Sequence, residues 1–434
     1  MGSASQGSQG DQMSKWGRVA LAAICAIMVL LLATDQRPDD TSIRTSLVVI
    51  LLGVSAGIDL LLFRHQRSAY SRTDGMVLPL FMAGFLLVCS ASALWAVEPQ
   101  RTLEITGLAW LLFLCWLTVR LWADRQSVKR VTMVTRWICV AILAFAVLLC
   151  SEVLTDQYIH RYLVNDIGMS MSIPNYYDTA GDRIRVLLQF LSQHMATLSY
   201  LFWPTLLAIV LTFGKSRFIF MFAFSVLTAY AVWNSDNQTA MLSLCLGAAL
   251  FALAWQLPRL AIGVAAVTWI AATIAIVPLT YVVHDVLQLQ LNPHIPASGQ
   301  ARFPIWYEVA SRVGEQPYIG HGVVSLQALV LSGNGFLGEH AHAHNVFLQT
   351  WYETGILGSL LLLACALVLL VRLYHYPRRF VCYGVATLAT VSISFVTTAW
   401  ELWVPWHLGA VALAGSLFLL TDRIILQKTE LTVE

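Results

Sequence analysis

The chain is poor in charge: only 12% of its 434 residues are Asp, Glu, Lys or Arg, while 58% are hydrophobic. That balance excludes an ordinary soluble globular protein of this length. No block of like charge occurs and the formal net charge is +2, so nothing in the composition encodes a nucleic-acid-binding surface. Polar linkers and internal repeats are missing as well, which leaves one domain. The eight cysteines (Cys25, Cys89, Cys115, Cys139, Cys150, Cys245, Cys365 and Cys382) lack metal-ligand spacing and all fall inside apolar segments. They read as small hydrophobes rather than a disulfide framework.

What is present is a series of long apolar runs. A bilayer core requires about 20 apolar residues per helix, and twelve segments qualify, at roughly 17–34, 44–63, 76–96, 102–122, 137–155, 186–212, 218–233, 239–255, 260–283, 346–371, 380–400 and 407–421. The fold class is therefore an all-α polytopic membrane protein with about twelve transmembrane helices. Residues 1–12, rich in Gly, Ser and Gln, read as a cloning remnant with Met13 a plausible native start, and 13–434 as a single transmembrane domain.

Lys and Arg are retained on the cytoplasmic side of a membrane. With the N-terminus inside, the cytoplasmic segments hold all but eight of the 26 basic residues, those eight being Arg37, Arg44, Arg101, Arg161, Arg183, Arg185, Arg302 and Arg312. Both termini are then cytoplasmic. The outer side receives two long loops, about 156–185 and 284–345, the second lying between the ninth and tenth spans. Loops of that length usually form sites or lids. Nine of the eleven histidines (His160, His194, His284, His294, His321, His340, His342, His344 and His407) lie on or near the same side. The working face is thus the outer one.

Within the second loop, Ile305, Val309 and Val313 recur at helical spacing, predicting a short amphipathic helix over 301–315 that tolerates Pro304 in its first turn. Pro317, Gly320, Gly322 and the SGNG at 332–335 then mark turns. The loop ends in His340-Ala-His342-Ala-His344, directly before the tenth span. An extended backbone would turn all three imidazoles to one side, as a metal site requires; helix capping is the plainer alternative. Acidic residues at or inside spans are Asp59, Glu104, Glu152, Glu353 and Glu401. A proton or ion path built from them would make the chain a transporter.

His344-Asn345, nine residues, then Gly355-x-x-Gly358, with Gln349 and Glu353 between, strongly resembles the signature of the bacterial O-antigen ligase and O-antigen polymerase superfamily. Arg302, Trp306, Pro317, Gly320 and Gly322 match the upstream part of that pattern, and the twelve-span layout agrees. One departure is Asn234 to Ala240, which has no arginine where the family often shows a Ser-Arg pair; Arg183 and Arg185 precede the sixth span, where the other usual arginine stands.

The resemblance implies a GT-C-like, metal-independent, inverting glycosyltransferase of the bacterial inner membrane, without cofactor and with a periplasmic active site. Its donor would be undecaprenyl-diphosphate-linked O-antigen and its acceptor lipid A core oligosaccharide. A second lipid-linked repeat or a protein would replace the acceptor in polymerase or oligosaccharyltransferase relatives. His344, Arg302 and Arg185 are the implied catalytic residues; Arg183, His340, His342, Asn345, Trp306 and Gln349 would bind substrate. Elementary chemistry agrees. A neutral imidazole can take a hydroxyl proton, and guanidinium grips phosphate oxygens in a bidentate fork. A metal-dependent alternative needs acidic pairs, yet no Asp-x-Asp occurs, and Asp39-Asp40 beside Pro38 reads as a solvated turn.

Overall fold

A computed structural model describes Ile27 and residues 44–62, 76–166, 177–180, 183–186, 191–235, 237–295, 297–331, 342–397 and 402–430. The predicted first span, Asp39-Asp40, His340 and Glu401 lie outside the described residues.

Apolar runs become helices where they were expected. These are α1 (Arg44–Leu62), α2 (Val77–Ala91), α3 (Pro99–Arg125), α4 (Val128–Leu154), a short α5 (Tyr158–Asn165), α6 (Ser192–Thr212), α7 (Arg217–Trp233), α8 (Gln238–Gln256) and α9 (Pro258–Ile274). After them come α10 (Ile276–Tyr281), α11 (Arg302–Val313), α12 (Ser325–Leu331), α13 (Val346–Tyr374), α14 (Arg378–Thr397) and α15 (Pro405–Glu430). Among the described residues nine helices are long and apolar enough to span, and α1 is a shorter apolar helix. Large side chains such as Leu61, Leu80, Phe222 and Val267 stand exposed on their outer surfaces, as a lipid solvent allows. This is a polytopic membrane protein.

The ninth span departs from a simple rod. α9 and the stretch 276–286 are bent by 73°. Pro278 accounts for this, since it lacks an N–H and its ring excludes the carbonyl four residues earlier. Trp351 on α13 donates its indole N–H to the Thr273 carbonyl at the break, at 2.6 Å. The bend carries the chain away from the spans and into the long loop, where His284 stacks on Tyr307 of α11 with 4.1 Å between ring centroids.

The first long loop also differs from expectation. It contains a short antiparallel hairpin, β1 (Tyr177–Ala180) and β2 (Arg183–Val186), a local addition to an all-α fold. The sixth span begins at Ser192 rather than near 186.

Three of the acidic residues that suggested an ion path are engaged by neighbouring groups. Asp59 accepts from Trp122 and Gln126 at 2.9 and 3.0 Å and pairs with Arg130 at 2.6 Å. Glu152 accepts the Ile159 amide at the start of α5, and Glu104 accepts from Gln100. Each of these serves helix ends and turns.

Candidate active site

The site begins where the long loop enters α13. Asn345 is the N-cap: its backbone is extended, and its side-chain oxygen accepts the Leu348 amide at 3.2 Å. Asparagine suits this position because a short carbonyl reaches amides that the first helical turn leaves unpaired. The residue before it, His344, has φ +53°, a left-handed conformation uncommon for a side-chain-bearing residue. This turn brings the His342 and His344 rings to 4.0 Å, and the His344 N–H donates to His342 Nδ1 at 3.3 Å. Between them Ala343 is fully buried. The loop is therefore pinned by its small residue, and the imidazoles stay half-exposed at its lip.

α13 is broken one helical segment further on. Gly355 adopts φ +61°, ψ −160°, a backbone region that is essentially glycine-only. A break inside a membrane strands polar backbone groups, and here the loop 317–322 satisfies them. The carbonyls of Tyr352 and Glu353 accept the amides of His321 and Gly322 at 2.8 and 2.9 Å. In return the amides of Ile356 and Leu357 donate to the carbonyls of Pro317 and Tyr318 at 2.9 and 3.3 Å. A Cβ at Gly320 would overlap the Glu353–Thr354 peptide, and one at Gly355 the Tyr318–Ile319 peptide. The spaced glycines of the sequence motif are thus the two halves of one backbone interlock.

Glu353 locks the same junction through its side chain. It is 1% exposed and accepts three N–H groups: Gln349 Nε2 at 3.0 Å, the Val324 amide at 3.1 Å and Trp403 Nε1 at 2.6 Å. The carboxylate ties α13 to the outer loop and to the turn before α15. Gln349, expected to bind substrate, is itself 1% exposed, with its amide committed to this carboxylate. The α2–α3 turn braces the loop from the other side. Trp95 donates to the Gly320 carbonyl at 3.0 Å, Ser92 accepts from the Val323 amide at 3.0 Å, and Thr102 donates to the Val323 carbonyl at 2.9 Å.

α11 is the amphipathic helix that its periodicity predicts. Ile305, Val309, Ala310 and Val313 are buried in one apolar cluster with Ala343, Val346 and Phe347, which sets α11 beside the mouth of α13. Arg302 opens this helix. It is half-buried and forms no ion pair with a carboxylate among the described residues. Burial lowers its pKa from the ordinary arginine value, since an unpaired cation is poorly solvated there. Trp306 presents an indole N–H that is buried without a hydrogen-bond partner, and so is Nδ2 of Asn345. No described residue supplies an acceptor to these donors.

Residues 222–363, which run from α7 into α13 and include every group just described except those braced from α2–α3 and α15, match a family model described as O-antigen ligase. Over this third of the chain the protein is similar to the O-antigen ligase family. Curated relatives carry the provisional name polysaccharide ligase. The chain is similar to one from Rickettsia typhi at 23% identity, over 62% of this chain and 68% of that protein. It is similar to another from Rickettsia prowazekii at 23%, over 64% of each. A third, from Rickettsia felis, is 24% identical over 41% of this chain and 44% of its own length. The chain thus spans between about half and two thirds of the length of these relatives.

Other expected residues are placed less closely. Arg183 and Arg185 occupy alternate positions of β2, across from Ala180 and Asp178, and β2 packs on α5 rather than on α11. Of their side chains, and of His340, nothing is described. His321 stacks on Tyr352 at 4.3 Å and meets the Arg312 carbonyl at 3.2 Å, which makes it part of the interlock. His407 is wholly buried against Tyr200 at 3.1 Å. Among the described residues no three His, Cys, Asp or Glu side chains converge in a metal-ligating group.

Proposed function

We propose that the chain transfers O-antigen polysaccharide from undecaprenyl diphosphate to lipid A core oligosaccharide, with inversion and without a metal, at the periplasmic face of the bacterial inner membrane. The observation that carries this reading is the half-buried Arg302 guanidinium, without a carboxylate partner among the described residues, on a helix packed beside the mouth of α13. A desolvated cation lacking a carboxylate is stabilised by an anionic ligand, and a diphosphate offers oxygens in the spacing that a guanidinium fork engages.

In this mechanism His344 takes the proton of the acceptor hydroxyl as its oxygen attacks the anomeric carbon of the donor. The carbon–oxygen bond to the diphosphate breaks, and undecaprenyl diphosphate departs with its developing charge held by Arg302 and by Arg183 or Arg185. Asn345 Nδ2 and Trp306 Nε1 are the unfilled donors that would meet sugar or phosphate oxygens. His342, whose Nδ1 accepts from the His344 backbone, fixes the turn that aims the base.

The acceptor distinguishes this reading from polymerase and protein oligosaccharyltransferase activity. Purified protein reconstituted with undecaprenyl-diphosphate-linked glycan should consume lipid A core oligosaccharide in preference to a second lipid-linked repeat or a protein. Preferential transfer to either alternative would reassign the acceptor, and release of intact donor across the bilayer without transfer would reject an enzyme altogether.

A further inference from the structure

The opposite end of α13 carries a second set of charges that the transfer reaction does not use. Arg372 near the end of α13, Arg120 and Asp124 near the end of α3, and Asp422 and Arg423 on α15 surround a partly open cavity of about 40 Å³. Ala123, Leu419 and Leu426 complete its wall. The part of α13 that follows the Gly355 break, from Ile356 to Arg372, advances 16 positions, about 24 Å at helical rise, so this cavity lies well away from the imidazole pair.

Three guanidinium groups against two carboxylates leave one net positive charge. One of those carboxylates is partly occupied, because Asp422 accepts the Tyr376 hydroxyl at 2.6 Å. Arg423 is 6% exposed, and its Nε is buried with no hydrogen-bond partner. Neither Arg372 nor Arg423 forms an ion pair with a carboxylate among the described residues. A buried guanidinium N–H left unmet is costly, and the volume admits more than one water-sized group. The sequence neighbours Leu121, Leu369 and Val371 are exposed apolar side chains, a surface that acyl chains can cover.

We propose that this cavity binds the phosphate of an anionic phospholipid, with Arg372, Arg423 and Arg120 as donors and Leu419 and Leu426 against the glycerol end. A phosphate bearing acyl chains satisfies the buried Nε and continues into the apolar surface, whereas a free anion would leave that surface uncovered. Basic pockets between spans recognise headgroups through this combination.

The test uses the full-length protein in a zwitterionic detergent. Thermal unfolding and native mass spectrometry would be recorded with added phosphatidylglycerol, phosphatidylcholine or inorganic phosphate. Phosphatidylglycerol should raise the unfolding temperature and remain bound, with phosphatidylcholine and inorganic phosphate giving no comparable shift. Arg372→Gln, at a half-exposed position where the fold should survive, should weaken phosphatidylglycerol binding about ten-fold, the loss of one charge-assisted contact. Arg372→Lys should retain part of it. Equal phosphatidylglycerol binding by wild type and Arg372→Gln would overturn the assignment. So would an inorganic phosphate shift as large as that of the lipid.

Discussion

Arg302 joins two properties that rarely persist together, a partly desolvated charge and, among the described residues, no carboxylate beside it. Lysine would keep the charge and lose the planar fork. Arg302→Lys should therefore lower transfer by about ten-fold or more while leaving the unfolding temperature near that of wild type, with both read on the same preparation. Glu353 sits in the reverse situation, with three N–H donors aimed at one carboxylate. Glu353→Gln places an NH₂ among those donors and leaves one of them unmet, a loss of about 1–3 kcal/mol. A clear fall in thermal unfolding temperature is expected. An unchanged temperature would show that the carboxylate does not hold the junction. The sequence marked Glu353 as a charge in a span and as a residue inside the motif; its partners Val324 and Trp403 are 29 and 50 positions away, and no local pattern announces such a convergence.

At the scale of elements, the broken α13 and the loop that completes it form one unit. The glycine spacing was visible in the sequence as a motif, and Gly355 now has a backbone reason, since its φ and ψ exclude a side chain and the Tyr318–Ile319 peptide fills the space a Cβ would need. Gly355→Ala should destabilise the protein by at least about 1–3 kcal/mol and abolish transfer, because the loop bearing His321 and the α13 mouth would separate. Retention of both the unfolding temperature and activity would mean that the interlock is dispensable. Other elements were legible to different degrees. The 3.6-residue period of Ile305, Val309 and Val313 gave α11 directly, and the long apolar runs gave the spans. The hairpin escaped because strands of four residues generate little periodic signal, although Gly181-Asp182 between YDTA and RIRV is the kind of two-residue connection that joins antiparallel strands. Likewise the bend near Ala275 follows from Pro278, but proline alone does not disclose an angle of 73°.

At the scale of the whole molecule, two charged groupings flank an apolar bundle among the described residues. One holds the imidazole pair and Arg302; the other is the arginine-lined cavity between α3, α13 and α15. Such a division suits an enzyme whose donor and acceptor both arrive in the bilayer, with chemistry restricted to one face. If fixed cations supply all stabilisation of the leaving diphosphate, transfer should continue at an undiminished rate in excess chelator, measured on the reconstituted protein; loss of activity restored by a divalent cation would require a metal at the site.

The central claim concerns His344, held in a left-handed turn at the mouth of α13. Its most direct test is single-turnover transfer by His344→Ala, with donor binding measured on the same reconstituted sample. The expected result is a rate lower by about 10² to 10⁴ with donor still bound. Transfer near the wild-type rate would contradict a base at this position, and loss of donor binding without a slower chemical step would make the imidazole a diphosphate ligand instead.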